Sequence, residues 1–495
     1  MTTATGRRPD ASPGLLAARD WTARLLAPVD VAGIALFRVA FGGLLLVEIY
    51  RGLSQGWVHD FLAPAFHFTY FGFGWVRPLP ALAMIGLFVG LGVLALMILL
   101  GWHYRLAMTL FWLGFTYLFL LEKALYLNHF YLICLVSFCM IWVPAARRFS
   151  LDARRRPQRA SDYVPAWSLW LLRAQLAIPY FYGGVAKIGS DWLQGQPMQM
   201  RMQQMTDLQA VIPWFGSHGL ALVFSYGGLL LDLLIVPLLL YRPTRAWAFA
   251  AAVAFHLCNA AMFNIGIFPW FMICATTLFF PSDWPRRLLR WPAATLTAPG
   301  VLRWPSGGRA TALAIGLLLA VQLILPLRHW LYGTQVDWTE QGSRFAWRMM
   351  LNEKLAAMQL MAVDPRTGQA TPLDVRPLLT PRQIEKMSHD PEMVREFAVF
   401  AGRALAAERG TPVEVHAIVF CALNGRKPQL LIDPQVDLAT QPRSLAPAPF
   451  IVPLTEPLPA NAYLVPPSEW ERVFDLRASL GKGNHQDTKG TKGRQ

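Results

Sequence analysis

The stretch AWSLWLLRAQLAIPYFYGGVAKIGSDW, Ala166 to Trp192, decides the fold. From Ala166 to Ala186 it is dominated by apolar and aromatic side chains, and a helix rising about 1.5 Å per residue over that length covers a bilayer core of about 30 Å. It therefore predicts a membrane span. The run loosens at Gly183 and Gly184 and places one lysine, Lys187, before a polar turn. Lysines near span ends commonly extend their charged tips to the interface. The alternative is a lysine meant to lose its proton. Two features favour the second reading: the glycine pair permits close helix approach, and Pro179 allows a kink that re-aims the segment.

The rest of the chain has the same character. Of its 495 residues 54% are hydrophobic and only 15% charged, with 19 tryptophans and a mean hydropathy of +0.34, which excludes an ordinary soluble protein. Nine apolar runs approach membrane length, at about 31–50, 80–100, 105–121, 129–145, 166–186, 219–240, 246–262, 266–280 and 311–327. The eighth is short and contains Pro269. The first carries Arg38 and Glu48 with no small-residue cleavage site after it, so it reads as a retained span rather than a signal peptide. The expected architecture is a polytopic all-α membrane bundle of about nine transmembrane helices followed by a small extracytoplasmic α+β domain. Its divisions are a cytoplasmic segment 1–28, the bundle 29–328, the α+β domain 329–475 and a disordered tail 476–495.

Cytoplasmic loops accumulate Lys and Arg. The connection from Arg147 to Arg159 holds six arginines. Arg286, Arg287, Arg290, Arg303 and Arg309 follow the eighth run, and Arg7, Arg8, Arg19 and Arg24 precede the first. Nine crossings put all three groups on one side, with the N-terminus in the cytoplasm and the C-terminal domain outside. The net charge of +15 is then mostly topology, and nucleic acid is not expected as a partner. The Ala-, Leu- and Arg-rich composition points to a bacterial inner membrane.

In the C-terminal part, Lys354 to Val375 reads as two strands around a Pro-Arg-Thr-Gly turn. Thr380-Pro381 and Asp390-Pro391 are helix-start signals, and Gly410 ends the helical stretch. Val413 to Leu423 and Pro428 to Leu438 resume the strand pattern, and the proline-rich stretch from Pro442 to Pro467 is irregular. Cys134, Cys139, Cys258 and Cys274 fall within predicted spans, which leaves Cys421 alone outside, so neither a structural disulfide nor a metal site is expected. A phosphate-cradling glycine loop and a GxSxG elbow are also lacking.

Ionisable groups inside spans are costly and mark functional candidates. Here they are Arg38, Glu48, Glu122, Lys123, His129, Arg173, Lys187, Asp232 and His256, with the amides Asn128, Asn259 and Asn264. Lys187 lies roughly 20 Å beyond Arg173 along the fifth span. His129, His256, Asn259, Asn264 and Glu48 fall at the same outward level, which suggests one pocket rather than a conduction path. Arg173 and Asp232 could neutralise each other structurally, with Arg38 a partner for either acid.

Three membrane segments, Val164 to Met198, LEKALYLNHFYL (Leu121 to Leu132) and FHLCNAAMFNIGIFPW (Phe255 to Trp270), resemble those of vitamin K-dependent γ-glutamyl carboxylases, the group with an HTTM domain. WTEQGSRFAWRMM (Trp338 to Met350) and LLIDPQVDL (Leu430 to Leu438) fit as well, in the same order along the chain. The resemblance implies oxygenation of reduced vitamin K, menaquinol or a similar naphthohydroquinone, coupled to carboxylation of glutamate side chains. Oxygen and carbon dioxide are co-substrates, no metal is implied, and the partners are a Glu-containing exported protein or peptide and membrane lipid. It makes Lys187 the catalytic base, active only when neutral, a form that apolar burial favours. It makes His129 the group that stabilises developing charge, oriented by Asn128. Asn128, His256, Asn259, Asn264, Glu48 and Lys123 are the expected quinol-pocket residues, and Arg38, Arg173 and Asp232 the expected structural ion-pair residues. Animal members carry two consecutive lysines where this chain has Ala186-Lys187, extend further at the C-terminus, and hold a luminal disulfide for which Cys421 has no partner. Two other readings stay open: a quinol epoxidase without carboxylation, and a non-catalytic quinone or lipid carrier.

Overall fold

The computed structural model describes residues 22–294, 302, 308–333, 335–474 and 476. The expectations for Arg7, Arg8, Arg19, Arg303 and nearly all of the 476–495 tail lie outside the described residues.

Every one of the nine apolar runs forms a helix: α1 (Ala32–Ser54), α2 (Ala81–Leu100), α3 (Tyr104–Leu121), α4 (Asn128–Trp142), α5 (Ala166–Ala186), α6 (His218–Leu240), α7 (Arg245–Met262), α8 (Phe268–Thr276) and α9 (Gly308–Ile324). Among the described residues five helices are long and apolar enough to cross a membrane: α1, α2, α3, α6 and Ala310–Tyr332, which extends α9. The expected nine spans therefore exceed what helix length and composition establish. α8 has nine residues and rises only about 14 Å. α5 and α7 are long enough but carry Arg173, Gln175, His256 and Asn259.

The helices form a ring. α1 packs on α2, each helix from α2 to α7 packs on the next, and α8 closes the circle against α1, while α9 lies outside on α5. Two glycines set the tightest approaches. A Cβ on Gly42 of α1 would stand 2.6 Å from the Leu99 amide nitrogen, and one on Gly184 of α5 would stand 2.7 Å from Leu233 of α6. Both helix pairs close only because those side chains are missing. Inside the ring, Phe271 packs edge to face on Phe37 (6.3 Å) and Phe41 (5.6 Å), which stack on each other.

Neither expected arginine pairing forms. Arg38, fully buried, donates to the carbonyls of Ile98 (2.8 Å), Leu99 (2.6 Å) and Phe149 (2.6 Å). Arg173 donates to Leu278 (2.9 Å) and Phe280 (3.2 Å). Arg38 satisfies two carbonyls at the end of α2 and one in the loop at Phe149, and Arg173 satisfies carbonyls just after α8. At such helix ends the dipole also favours a cation. Asp232 is engaged elsewhere.

Strand β1 (Pro28–Asp30) pairs antiparallel with β2 (Tyr163–Pro165) and ties the starts of α1 and α5 together. Arg286 bridges Asp30 and Asp162 beside them, at 2.8 Å each.

The C-terminal domain is a four-stranded antiparallel sheet of order β4-β3-β5-β6, from β3 (Lys354–Val363), β4 (Ala370–Pro372), β5 (Glu414–Leu423) and β6 (Gln429–Leu430). Its long ladder runs from Lys354 opposite Leu423 to Val363 opposite Glu414. α10 (Pro381–His389) starts on a capping box of Thr380 with Gln383, and α11 (Pro391–Arg409) on Asp390. They cover one face, where Val415, Ala417, Val419 and Cys421 alternate inward against Met387, Val394 and Phe397. The last expected strand shrinks to two residues, because from Leu431 to Asp433 the chain bonds to the segment 450–452. Cys421 is a buried free thiol.

Polar contacts fix the sheet domain to one end of the ring. Glu122 accepts from Gln383 (2.8 Å) and Lys123 meets Glu396 (2.7 Å). Asp191 meets Arg426 at 2.6 and 2.8 Å and Asn424 at 2.9 Å. Burial pushes the Glu396 carboxyl up, but Lys123 and then Arg443 outweigh it and hold it below the usual carboxylate range. Lys123, expected in a quinol pocket, is instead a docking residue of this interface.

Candidate active site

A cavity of about 760 Å³ opens inside the ring at the end nearest the sheet domain. α1, α4, α5, α6, α7 and α8 contribute to its wall, as does the loop Arg348–Met350 of the sheet domain. Its size and mostly apolar lining with a few polar groups suit a small-molecule site.

Lys187 follows the last turn of α5, with its backbone amide donating to Gly184 (3.0 Å). Its Nζ donates to Oδ2 of Asp232 on α6 at 2.5 Å and to the Gly183 carbonyl at 3.3 Å, and lies 5.3 Å from the Trp192 ring centre. The two side chains are only 7% and 6% exposed. The lysine does not reach for water. Nor is it alone: the buried carboxylate of Asp232 is its partner.

A second pair stands beside the first. Tyr180 of α5 meets His256 Nε2 of α7 at 2.7 Å, and the other ring nitrogen, Nδ1, is buried without a hydrogen-bond partner among the described residues. Phe268 sits between the two histidines, its ring 6.2 Å from that of His256 and 6.1 Å from that of His129. His129 lines the cavity in the first turn of α4. Its ring makes no hydrogen bond to another described residue. Asn128 was expected to orient it, but accepts from Tyr126 (2.9 Å) and donates to the Arg348 carbonyl (3.2 Å). It anchors the sheet-domain loop instead.

Asn259 and Asn264 line the cavity with side-chain amides unbonded among the described residues, and Glu48 lines it paired to Arg51 at 2.8 Å. Gly266, at φ +58°, is needed there, since a Cβ would come within 2.5 Å of the Arg51 guanidinium. Of the expected catalytic and pocket residues, then, Asn128, His129, Lys187, His256, Asn259, Asn264 and Glu48 come together and Lys123 does not, while of the three expected structural ion-pair residues Asp232 joins the cavity and Arg38 and Arg173 stay outside it.

The roof is a strained loop. Phe345, Trp347 and Met350 all have positive φ, from 57° to 63°, rare for large side chains. The loop is held by Tyr126, which accepts from the Phe345 amide (2.8 Å), and by ion pairs of Arg344 with Asp390 (2.8 Å) and Arg348 with Asp337 (2.7 Å). Such strain persists only where the surroundings over-determine it and clusters at functional sites. On another side the wall opens outward: Val223 and Gly227 of α6 and Ala254 of α7 line the cavity and are also exposed on the outer face of the ring.

Sequence reasoning missed Tyr180, Arg51 and Arg348 as wall residues. Tyr180 carried a signal, about two turns before Lys187 and next to Pro179. Arg51 and Arg348 carried none that separates them from ordinary interfacial arginines. Among the described residues no group of three or more His, Cys, Asp or Glu side chains is arranged to hold a metal ion.

The sequence that builds this helical ring and its roof matches two known domains. Residues 26–284 match the HTTM domain and residues 308–457 the vitamin K-dependent gamma-carboxylase lumenal domain. The first match covers more than half of the chain, and with the second the protein belongs to the vitamin K-dependent γ-carboxylase family. No solved structure matches it.

Proposed function

We propose that this protein is a membrane-embedded carboxylase that oxygenates reduced vitamin K and adds carbon dioxide to glutamate side chains of an exported protein. The observation that carries this reading is the Lys187–Asp232 pair, buried in a cavity that opens sideways where lipid would lie. The bound naphthohydroquinone supplies, with oxygen, a base stronger than any side chain. The protein's own task is to take the first proton, orient the ring and exclude water.

Lys187 takes that proton. With Asp232 2.5 Å away, the pair holds one proton in a site where an isolated charge would be costly. When that proton rests on the carboxylate, both groups are neutral and the amine lone pair is free for a hydroxyl proton. The ammonium that forms then donates to the carboxyl oxygen of the still-protonated Asp232, and the pair, now with two protons, carries one positive charge beside the quinolate. Tyr180 locks the His256 ring through Nε2 and leaves Nδ1 to meet a second ligand oxygen. His129, whose ring makes no hydrogen bond among the described residues, stabilises developing negative charge. The unbonded amides of Asn259 and Asn264 are further contacts for a quinol headgroup. The roof loop keeps water out, which a carbanion requires.

In this reading the nine helices cross the membrane, the arginine-rich connections face the cytoplasm and the sheet domain lies outside, in a bacterial inner membrane. Purified protein given reduced vitamin K, oxygen, labelled bicarbonate and a Glu-rich peptide should incorporate label, and Lys187→Ala should abolish incorporation. Epoxide formation without incorporation would refute the carboxylase reading and leave an oxygenase. Neither product, with menaquinone still bound tightly, would leave a carrier.

A further inference from the structure

A second cavity, of about 440 Å³, lies at the opposite end of the ring, where α3 begins and α4 has just ended. Arg105, Arg147, Arg156 and Arg159 line it, with Asp152 as the acid among them. That acid is already engaged. Its two oxygens accept from the backbone amides of His103 and Tyr104, at 2.9 Å each, and cap the start of α3. None of the four arginines makes an ion pair with another described residue, so an excess of positive charge faces a concave surface.

The wall of this cavity continues into a lipid-facing track. Leu106 lines the cavity itself. Leu110 and Leu113 follow it at helical spacing on α3, and the three are 58%, 44% and 51% exposed. On a bundle in a bilayer such a row faces acyl chains. Trp102, also exposed, stands just before α3, where aromatic side chains favour the headgroup level.

We infer that this cavity binds an anionic phospholipid, with its phosphate among Arg105, Arg147, Arg156 and Arg159 and an acyl chain along Leu106, Leu110 and Leu113. Arginine's planar fork matches phosphate oxygens, and basic pockets between membrane helices are suited to acidic headgroups. The volume is ample for a phosphoglycerol headgroup. The apolar track is what selects a lipid over a free phosphate ester: a soluble anion has no use for it. α3 separates this cavity from the sheet-domain end by about 27 Å of helix, so the lipid is a structural ligand and takes no part in the chemistry at Lys187.

Native mass spectrometry of the whole purified protein tests this. Phosphatidylglycerol should be retained at one copy more strongly than phosphatidylcholine of the same chain length. Arg105→Gln with Arg156→Gln is a suitable variant, because neither side chain makes a hydrogen bond to a described residue. It should weaken phosphatidylglycerol retention about 25-fold, about fivefold per arginine, with phosphatidylcholine unaffected. Equal retention of the two lipids by the unaltered protein would overturn the proposal and leave the arginines as topology signals only. Displacement of phosphatidylglycerol by millimolar glycerol phosphate would also overturn it, by showing that the track contributes nothing. The comparison of lipids on the unaltered protein needs no variant to fold.

Discussion

Replacing Lys187 with Met, Asp232 with Leu, and both together separates the fold's need for the pair from the chemistry's need for it. The two side chains meet at 2.5 Å and are 7% and 6% exposed, so each single change leaves a buried charge without its counter-charge. Breaking such a pair costs about 3–5 kcal/mol, whereas replacing both members with apolar groups is close to neutral. At about 2–4 °C per kcal/mol, each single variant should melt about 6–20 °C below the unaltered protein. The double variant should return most of the way. Thermal unfolding in one detergent, followed by tryptophan fluorescence, reads all four proteins under the same conditions. Label incorporation reads activity, which should be absent in both lysine-free variants, including the stable one. Single variants as stable as the parent, with a coupling under about 1 kcal/mol, would refute the desolvated pair. So would a double variant that carboxylates.

Three further perturbations probe the rest of the account. Gly227→Trp fills the sideways opening between α6 and α7, and should raise KM for a long-tailed quinol about tenfold while leaving a tail-less one little changed; equal effects on both would place the opening elsewhere. Arg38→Met leaves the carbonyls of Ile98, Leu99 and Phe149 without their donor, at about 1–3 kcal/mol for each buried group that water cannot reach; the melting temperature should drop with kcat of the surviving protein unchanged. The Glu396 carboxylate is held below its ordinary pKa, so its contribution to docking the sheet domain is present above about pH 4.3 and lost as pH falls further. Protection factors over 122–126 and 392–398, which divide out the intrinsic pH dependence of amide exchange, should therefore be steady from about pH 8 to 5 and fall below about 4, while Glu396→Gln should show lower protection already at neutral pH with a flatter pH response.

The helices were legible because apolar runs of membrane length admit few other structures. The crossing count was not. α8 is too short on its own, α7 carries His256 and Asn259 toward the cavity, and α5 carries Arg173 and Gln175, neither of which lines it. Depth along the helices was enough to gather Lys187, His129, His256, Asn259, Asn264 and Glu48 on one level, because rise per residue is fixed. What the sequence could not supply was rotation about each helix axis. Asp232 could have faced Arg173 or Lys187, and only the close approach at Gly184 turns it to the lysine. Arg38 and Arg173 looked like counter-charges because the carbonyls that bind them belong to helix ends distant in sequence. Lys123 stood beside the pocket segment by number, but the turn after Glu122 points it at Glu396.

The most direct test is a density map of the protein prepared with a reduced naphthoquinone. A ring hydroxyl within about 3.2 Å of Lys187 Nζ, with Asp232 still on the amine and the tail leaving past Gly227, is the predicted result. A headgroup bound away from the amine, or Lys187 swung out to water, would contradict it.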